Sequence, residues 1–121
     1  MRVYLVEDNP LIRDMFAETM QEVARAIIVG WADSEDAARS ALGALRGEWD
    51  VAIIDLFLLQ GSGFGVARTL GARAQHQKVF IVTNYATADI RERAMAIGVD
   101  AVFDKSTELD ALIDRLVAGP L

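Results

Sequence analysis

The segment Val51-Ala52-Ile53-Ile54-Asp55 decides how the chain folds, because four consecutive apolar residues end in a single carboxylate. A short, continuous apolar run is typical of a strand that is buried on both faces of a parallel sheet. The carboxyl ends of such strands form the sheet edge at which α/β proteins build their sites. Asp55 is therefore the first candidate site residue.

Three further apolar runs end in polar residues in the same way. Residues 3–6 precede Glu7 and Asp8, residues 79–82 precede Thr83, and residues 101–103 come shortly before Lys105. Because the carboxyl ends of parallel strands share one edge, we expect three carboxylates, a hydroxyl and an ammonium to meet there.

Helical patterns separate the predicted strands. Asn9 and Pro10 open the first helix, and Asp33 or Ser34 caps the second, which Gly47 ends. The predicted strands are 3–6, 26–29, 51–54, 79–82 and 101–103, and the helices reach about residues 24, 46, 74, 97 and 117. The third, fourth and fifth helices are expected to start near residues 64, 87 and 107, the last capped by Ser106.

Five alternating strands and helices predict an α/β fold. We expect a flavodoxin-like, doubly wound (βα)5 three-layer sandwich, with a five-stranded parallel sheet of order 2-1-3-4-5. Residues 1–121 would form one domain, since 53% are hydrophobic and 25% are charged.

Composition excludes several classes of protein. The formal net charge of −6 argues against a direct nucleic-acid surface. The chain has no cysteine, which rules out disulfides and thiolate metal sites and fits a reducing cytoplasm. It shows neither a signal peptide nor an apolar stretch of about 18 residues. We therefore expect a cytoplasmic protein with no membrane partner.

Glu7, Asp8 and Asp55 would repel one another in one cleft, and each would raise the pKa of the others. A divalent cation removes that conflict. Oxygen ligands without a neighbouring histidine or cysteine favour Mg²⁺ over zinc, with Mn²⁺ as the alternative ion. The sequence therefore predicts a Mg²⁺ site.

A carboxylate can also be a nucleophile that forms an aspartyl phosphate, and Asp55 occupies the central strand end. Thr83 could donate a hydrogen bond to the phosphoryl group, and Lys105 could pair with another of its oxygens. The lysine is informative because only two of the 12 basic residues are lysines. A compact ammonium suits a single phosphoryl oxygen.

Over essentially its whole length, the chain resembles the receiver domain of two-component response regulators. Each matching residue is weak evidence alone, but their order and their placement after strands are specific. The resemblance rests on Glu7-Asp8, Asp55, the Gly63 loop, Thr83, Lys105 and the run from Gly98 to Ser106.

The resemblance implies that Asp55 accepts a phosphoryl group from the phosphohistidine of a sensor histidine kinase or a histidine phosphotransfer protein. Asp8, Asp55 and the backbone carbonyl of Phe57 would hold Mg²⁺, with Glu7 acting through water. Such a protein is a phosphoacceptor in signal transduction and not an enzyme that turns over a separate substrate. We expect a monomer or a weak homodimer.

The resemblance also implies a switch. Thr83 and Lys105 would sense the phosphoryl group and change the face of the fourth helix, fifth strand and fifth helix, which an unknown downstream protein contacts. Receivers often carry an aromatic residue three positions before the lysine, where this chain has Val102. Phe103 should point to the opposite face. Tyr85 is the candidate that takes over part of the switching role.

Two bulky residues flank the predicted acid site. Phe57 lies two positions after Asp55, and Tyr85 lies two positions after Thr83. We hypothesise that both rings shield the phosphoryl group from water.

Two alternatives remain open at this stage. The chain ends shortly after its fifth helix, which favours a stand-alone regulator, although an N-terminal receiver fragment of a DNA-binding transcriptional regulator would look the same. A haloacid-dehalogenase-type phosphatase also uses an aspartyl phosphate, but it carries an acid where this chain has Phe57.

Overall fold

A computed structural model describes residues 1–119 and confirms an α/β fold with five strands and five helices. Pro120 and Leu121, the end of the predicted domain, lie outside the described residues. The elements in chain order are β1 (Arg2–Val6), α1 (Pro10–Ala24), β2 (Ile27–Ala32), α2 (Glu35–Leu45), β3 (Val51–Asp55), α3 (Gly63–Thr69), β4 (Lys78–Thr83), α4 (Ala88–Ala96), β5 (Ala101–Asp104) and α5 (Leu109–Ala118).

The five strands form one parallel sheet in the order β2-β1-β3-β4-β5, as the sequence predicts. Every residue of the central strand β3 is buried. Ile54 packs in the core beneath α2, α3 and α4, whereas Ile53 packs in the core beneath α1 and α5. This alternation produces three layers and leaves the carboxyl end of β3 flanked by β1 and β4.

Local chemistry explains where the helices begin. The Asn9 side chain accepts hydrogen bonds from the first turn of α1, and Ser34 caps α2 in the same manner. Thr87 caps α4 through a hydrogen bond from Ile90. Gly98, which has φ 91°, follows the end of α4, as predicted.

The predicted end of α3 near residue 74 is wrong, because the helix ends at Thr69. The Arg73 side chain explains the early end: its guanidinium donates to the carbonyl oxygens of Leu70, Gln77 and Gly98. These bonds hold the segment after Thr69 as turns against the neighbouring loops.

Two other boundaries differ from the prediction. Strand β2 continues to Ala32 because it pairs with β1 beyond a register shift between Val3 and Tyr4. Ser106 does not cap α5, which begins at Leu109 with no side-chain cap. The Ser106 N–H instead donates to Asp104 Oδ1 at 2.7 Å. Within residues 1–119, no helix is both long and apolar enough to cross a bilayer.

Candidate functional site

The strand order brings three carboxylates together at the edge of the sheet. Glu7 and Asp8 follow β1, and Asp55 ends the adjacent strand β3. One oxygen from each carboxylate lies within 4.8 Å of the other two. Glu7 is 2% exposed and Asp55 is 6% exposed, whereas Asp8 is partly open to solvent. The acid cluster predicted from the sequence is therefore present in the fold.

Lys105 reaches this cluster from beyond β5. Its Nζ donates to Glu7 Oε1 at 2.6 Å and to Asp55 Oδ2 at 3.1 Å. Its backbone N–H donates to the Thr83 carbonyl oxygen at 2.9 Å, which fixes the start of the side chain. One ammonium thus lies between two buried carboxylates.

Burial and charge set the protonation of this group. Burial raises the pKa of Asp55 to about 7, and the neighbouring Glu7 carboxylate adds to the rise while Lys105 opposes it. Burial also acts to raise the pKa of Glu7, but hydrogen bonds from Lys105 and Asp55 keep that pKa below its usual value. Burial acts to lower the pKa of Lys105, and the two carboxylates outweigh it and raise that pKa.

The donor set fits a Mg²⁺ ion on chemical grounds. It consists of carboxylate oxygens, which Mg²⁺ prefers to nitrogen or sulfur ligands. Burial and the Glu7 carboxylate together outweigh Lys105 and raise the pKa of Asp55, so a second cation beside it would favour its ionised form. The Phe57 backbone adjoins the cluster, since its N–H donates to Asp55 Oδ1 at 3.4 Å. Asp8 Oδ2 accepts the Leu59 N–H at 2.7 Å, which ties the following loop to the same cluster.

Thr83 ends β4 at the same edge and is fully buried. Its Oγ1 accepts the Tyr85 N–H at 3.0 Å, so the hydroxyl proton is still available for donation. The hydroxyl therefore joins the end of the strand to the loop that leads into α4.

The two bulky flanking residues contact each other. The rings of Phe57 and Tyr85 meet edge to face, with centroids 5.5 Å apart. Both side chains are exposed, by 55% and 64% respectively. The structure thus joins the loops after β3 and β4 through one aromatic pair, at the positions two residues beyond Asp55 and Thr83.

The position expected to carry an aromatic switch is filled by core packing. Val102 is 8% exposed and packs beneath α2, α3 and α4. Phe103 points to the other face, as predicted, where its ring meets that of Phe80 edge to face at 5.6 Å.

Sequence reasoning missed a network around Arg91. The Arg91 guanidinium donates to the carbonyl oxygens of Ala86 and Val102 and forms an ion pair with Glu108. Glu108 also accepts the Asp104 N–H at 3.0 Å. The network links the loop before α4 with β5 and α5. Because its partners lie 5, 11 and 17 residues away along the chain, no local pattern could have identified it.

Comparison with known proteins places this site in a family. Residues 3–117 match the response regulator receiver domain. An uncharacterized transcriptional regulatory protein of Bacillus subtilis, YvfU, is 28% identical over 115 residues, which cover 95% of this chain and 56% of YvfU. The chain therefore spans little more than half of that curated relative.

Solved structures with the same fold are more distant in sequence. The BeF3-activated N-terminal receiver domain of Klebsiella pneumoniae RstA has a TM-score of 0.84 at 19% identity, covering 98% of this chain and 97% of that one. Salmonella enterica RcsB, solved bound to the rprA promoter, has a TM-score of 0.81 at 16% identity, covering 98% of this chain and 66% of RcsB.

The fold and the family match define the class of this protein, a two-component signalling module. The chain belongs to the response regulator receiver domain family. This membership disfavours the haloacid-dehalogenase-type alternative.

Proposed function

We propose that this receiver accepts a phosphoryl group on Asp55 from a phosphohistidine of a sensor histidine kinase or histidine phosphotransfer protein. The observation that carries the proposal is the placement of Asp55. It is a buried carboxylate at the end of the central strand, held by the Lys105 ammonium and grouped with Glu7 and Asp8.

The chemistry balances with the groups present. An ionised Asp55 oxygen attacks the phosphorus, the bond to the imidazole nitrogen breaks, and that nitrogen keeps the electron pair. Asp8, Asp55 and the Phe57 carbonyl would hold Mg²⁺ (or Mn²⁺), with Glu7 acting through water. The bound cation would supply positive charge to a phosphoryl oxygen and favour the ionised carboxylates. Lys105 would pair with an oxygen of the transferred group.

Three hydrogen bonds support a route from the phosphoryl group to the α4–β5–α5 face. Thr83 would donate its hydroxyl proton to a phosphoryl oxygen, and the Tyr85 N–H bound to Thr83 Oγ1 would move with it. The next residue, Ala86, is held through its carbonyl by Arg91, which also contacts Val102. With Val102 in the core, we infer that Tyr85 and Arg91 carry the switching role.

The downstream partner is proposed to be a protein. A chain with a formal net charge of −6 is a poor direct ligand for nucleic acid. YvfU and RcsB are longer than this chain, and RcsB was solved bound to a promoter. The alternative is therefore that this receiver regulates an attached DNA-binding domain. Both forms use the same phosphoacceptor chemistry.

Incubation with acetyl phosphate and Mg²⁺, followed by intact mass spectrometry, tests the proposal. We expect one phosphoryl adduct in the wild type and none when EDTA replaces Mg²⁺. Acetyl phosphate transfers its phosphoryl group with acetate as the leaving group, so the acceptor carboxylate can be tested without a kinase. The absence of any adduct with Mg²⁺ present would contradict the proposal.

Replacing Phe57 with asparagine should shorten the lifetime of the adduct. The Phe57 ring contacts Tyr85, and we infer that this pair excludes water from the acyl phosphate. We expect loss of the adduct to be about three- to tenfold faster once acetyl phosphate is removed. Leu59→Asn is the matched control, because Leu59 lies in the same loop and is 89% exposed. Equal adduct lifetimes in the wild type, Phe57→Asn and Leu59→Asn would contradict the shielding role of Phe57.

A further inference from the structure

Glu35, the first residue of α2, contacts the loop between β3 and α3. Its Oε1 accepts the Ser62 N–H at 2.9 Å, and its own N–H donates to the Gln60 carbonyl oxygen at 3.0 Å. Its other oxygen, Oε2, lies 3.4 Å from Arg39 Nη1 one turn along α2. Glu35 thus binds the loop through both its main chain and its side chain.

Two glycines provide the space for this side chain. A Cβ atom on Gly61 would lie 2.3 Å from the Glu35 Cβ, and a Cβ on Gly65 would lie 2.3 Å from the Glu35 carboxyl carbon. Gly61 also has φ 85°, a conformation that favours glycine in its own right. Gly65 lies within α3, where glycine costs about 1 kcal/mol relative to alanine. The space that the Glu35 carboxylate occupies explains why α3 contains Gly65, although glycine is unfavourable within a helix.

The other end of the same loop contacts the acid cluster. Phe57 and Ser62 form an isolated antiparallel bridge, so the residue that Glu35 holds lies opposite the residue whose carbonyl is the expected metal ligand. Between them, the Leu59 N–H donates to Asp8 Oδ2 at 2.7 Å. The loop is therefore fixed from the cluster on one side and from α2 on the other.

We propose that Glu35 is a positioning residue that holds loop 57–62 in the geometry needed for Mg²⁺ binding at Asp8 and Asp55. This inference rests on the proposed function. Removing the Glu35 carboxylate leaves the Ser62 N–H without its acceptor and weakens the Phe57–Ser62 bridge. The loop is then less ordered before the cation binds, and the free-energy cost of ordering it lowers the affinity for Mg²⁺. Groups that orient metal ligands typically contribute about tenfold or more to metal affinity.

Calorimetric titration of Mg²⁺ into Glu35→Ala, Glu35→Gln and Asp36→Ala tests the proposal. Glu35→Ala should weaken Mg²⁺ binding about tenfold. Glu35→Gln keeps an oxygen acceptor for the Ser62 N–H and should stay within about threefold of the wild type. Asp36 is the matched control, since it is the other acid in the first turn of α2 and is exposed. Equal effects of Glu35→Ala and Asp36→Ala would overturn the proposal.

Gly65→Ala provides a second variant that keeps Glu35 itself. Alanine should stabilise α3 by propensity, yet its Cβ would displace the Glu35 carboxylate and weaken Mg²⁺ binding. A merely structural role for Glu35 predicts no such loss. At saturating Mg²⁺, the rate of phosphorylation by acetyl phosphate should return towards the wild-type rate in both Glu35→Ala and Gly65→Ala. A lower maximal rate with unchanged Mg²⁺ affinity would contradict positioning.

The wild type and Asp55→Asn separate this inference from the function on which it rests. If the wild type binds Mg²⁺ at a site that Asp55→Asn removes, and Glu35→Ala binds Mg²⁺ equally well, only the role of Glu35 fails. If the wild type binds no Mg²⁺, the proposed function and the role of Glu35 fail together.

Discussion

Replacing Lys105 with methionine should lower the free energy of unfolding by about 3 kcal/mol in the presence of EDTA. Lys105 Nζ is the cation that lies between the buried carboxylates of Glu7 and Asp55, at 2.6 Å and 3.1 Å. Methionine keeps the length of the side chain but leaves both acids without compensation. Urea denaturation followed by circular dichroism measures the effect.

Lys78→Met is the control for this substitution. Lys78 is the only other lysine of the chain and forms no ion pair within the described residues. We expect a change below about 1 kcal/mol there. Mg²⁺ should restore part of the stability that Lys105→Met loses, because the ion would neutralise the same carboxylates. Equal destabilisation by both substitutions would show that Lys105 does not compensate the cluster.

Asp55→Asn should stabilise the protein in EDTA, by about 2 to 4 kcal/mol at pH 8. Burial raises the pKa of Asp55 to about 7 from its usual value of 3.8, so the folded protein disfavours the ionised acid. Below about pH 4 the acid is protonated in both the folded and unfolded states, and the penalty is absent. The penalty grows as the pH rises from 4 and is complete above 7. The advantage of the asparagine variant should therefore increase over that window.

Asp50→Asn gives the opposite sign and serves as the comparison. A hydrogen bond from Arg2 lowers the pKa of Asp50, so its ionised form stabilises the folded protein. That stability is present above the unfolded pKa and is lost as the pH falls through the folded pKa.

Mg²⁺ should raise the melting temperature of the wild type but not of Asp55→Asn. Destabilisation by Asp55→Asn at pH 8 in EDTA would contradict the conclusion that the buried, ionised Asp55 carboxylate destabilises the folded protein.

The residues at the strand ends were predictable from the sequence because the carboxyl ends of parallel strands all lie at one edge of the sheet. Once four buried strands were recognised, Glu7, Asp8, Asp55 and Lys105 had to share one edge. The structure brings these four together through the strand order β2-β1-β3-β4-β5. The burial of Val102 and Phe103 on opposite faces followed from strand alternation.

The errors have a different cause, which is competition from polar side chains that hydrophobic periodicity does not reveal. The end of α3 depends on the Arg73 guanidinium, which reaches Gly98 across 25 positions of the chain. Ser106 looks like a helix cap, but Asp104 accepts its N–H in a local turn. Neither contact leaves a periodic signal.

The glycines after Asp55 show the same limit. Gly63 leaves room for the backbone, because a Cβ there would lie 2.3 Å from the Asp55 carbonyl oxygen. Gly65 leaves room for the side chain of Glu35, which is 30 positions earlier in the chain. Turn chemistry alone predicts a loop at this point but not the residue that it accommodates.

Chemical identification of the phosphorylated residue tests the central claim most directly. After reaction with acetyl phosphate and Mg²⁺, borohydride reduces an aspartyl phosphate to homoserine, and peptide mass spectrometry locates it. Our account predicts homoserine at position 55 and at no other acid, with no reduced product in Asp55→Asn. Reduction at Asp8 or Glu7, or an adduct that persists in Asp55→Asn, would contradict the assignment of Asp55 as the phosphoacceptor.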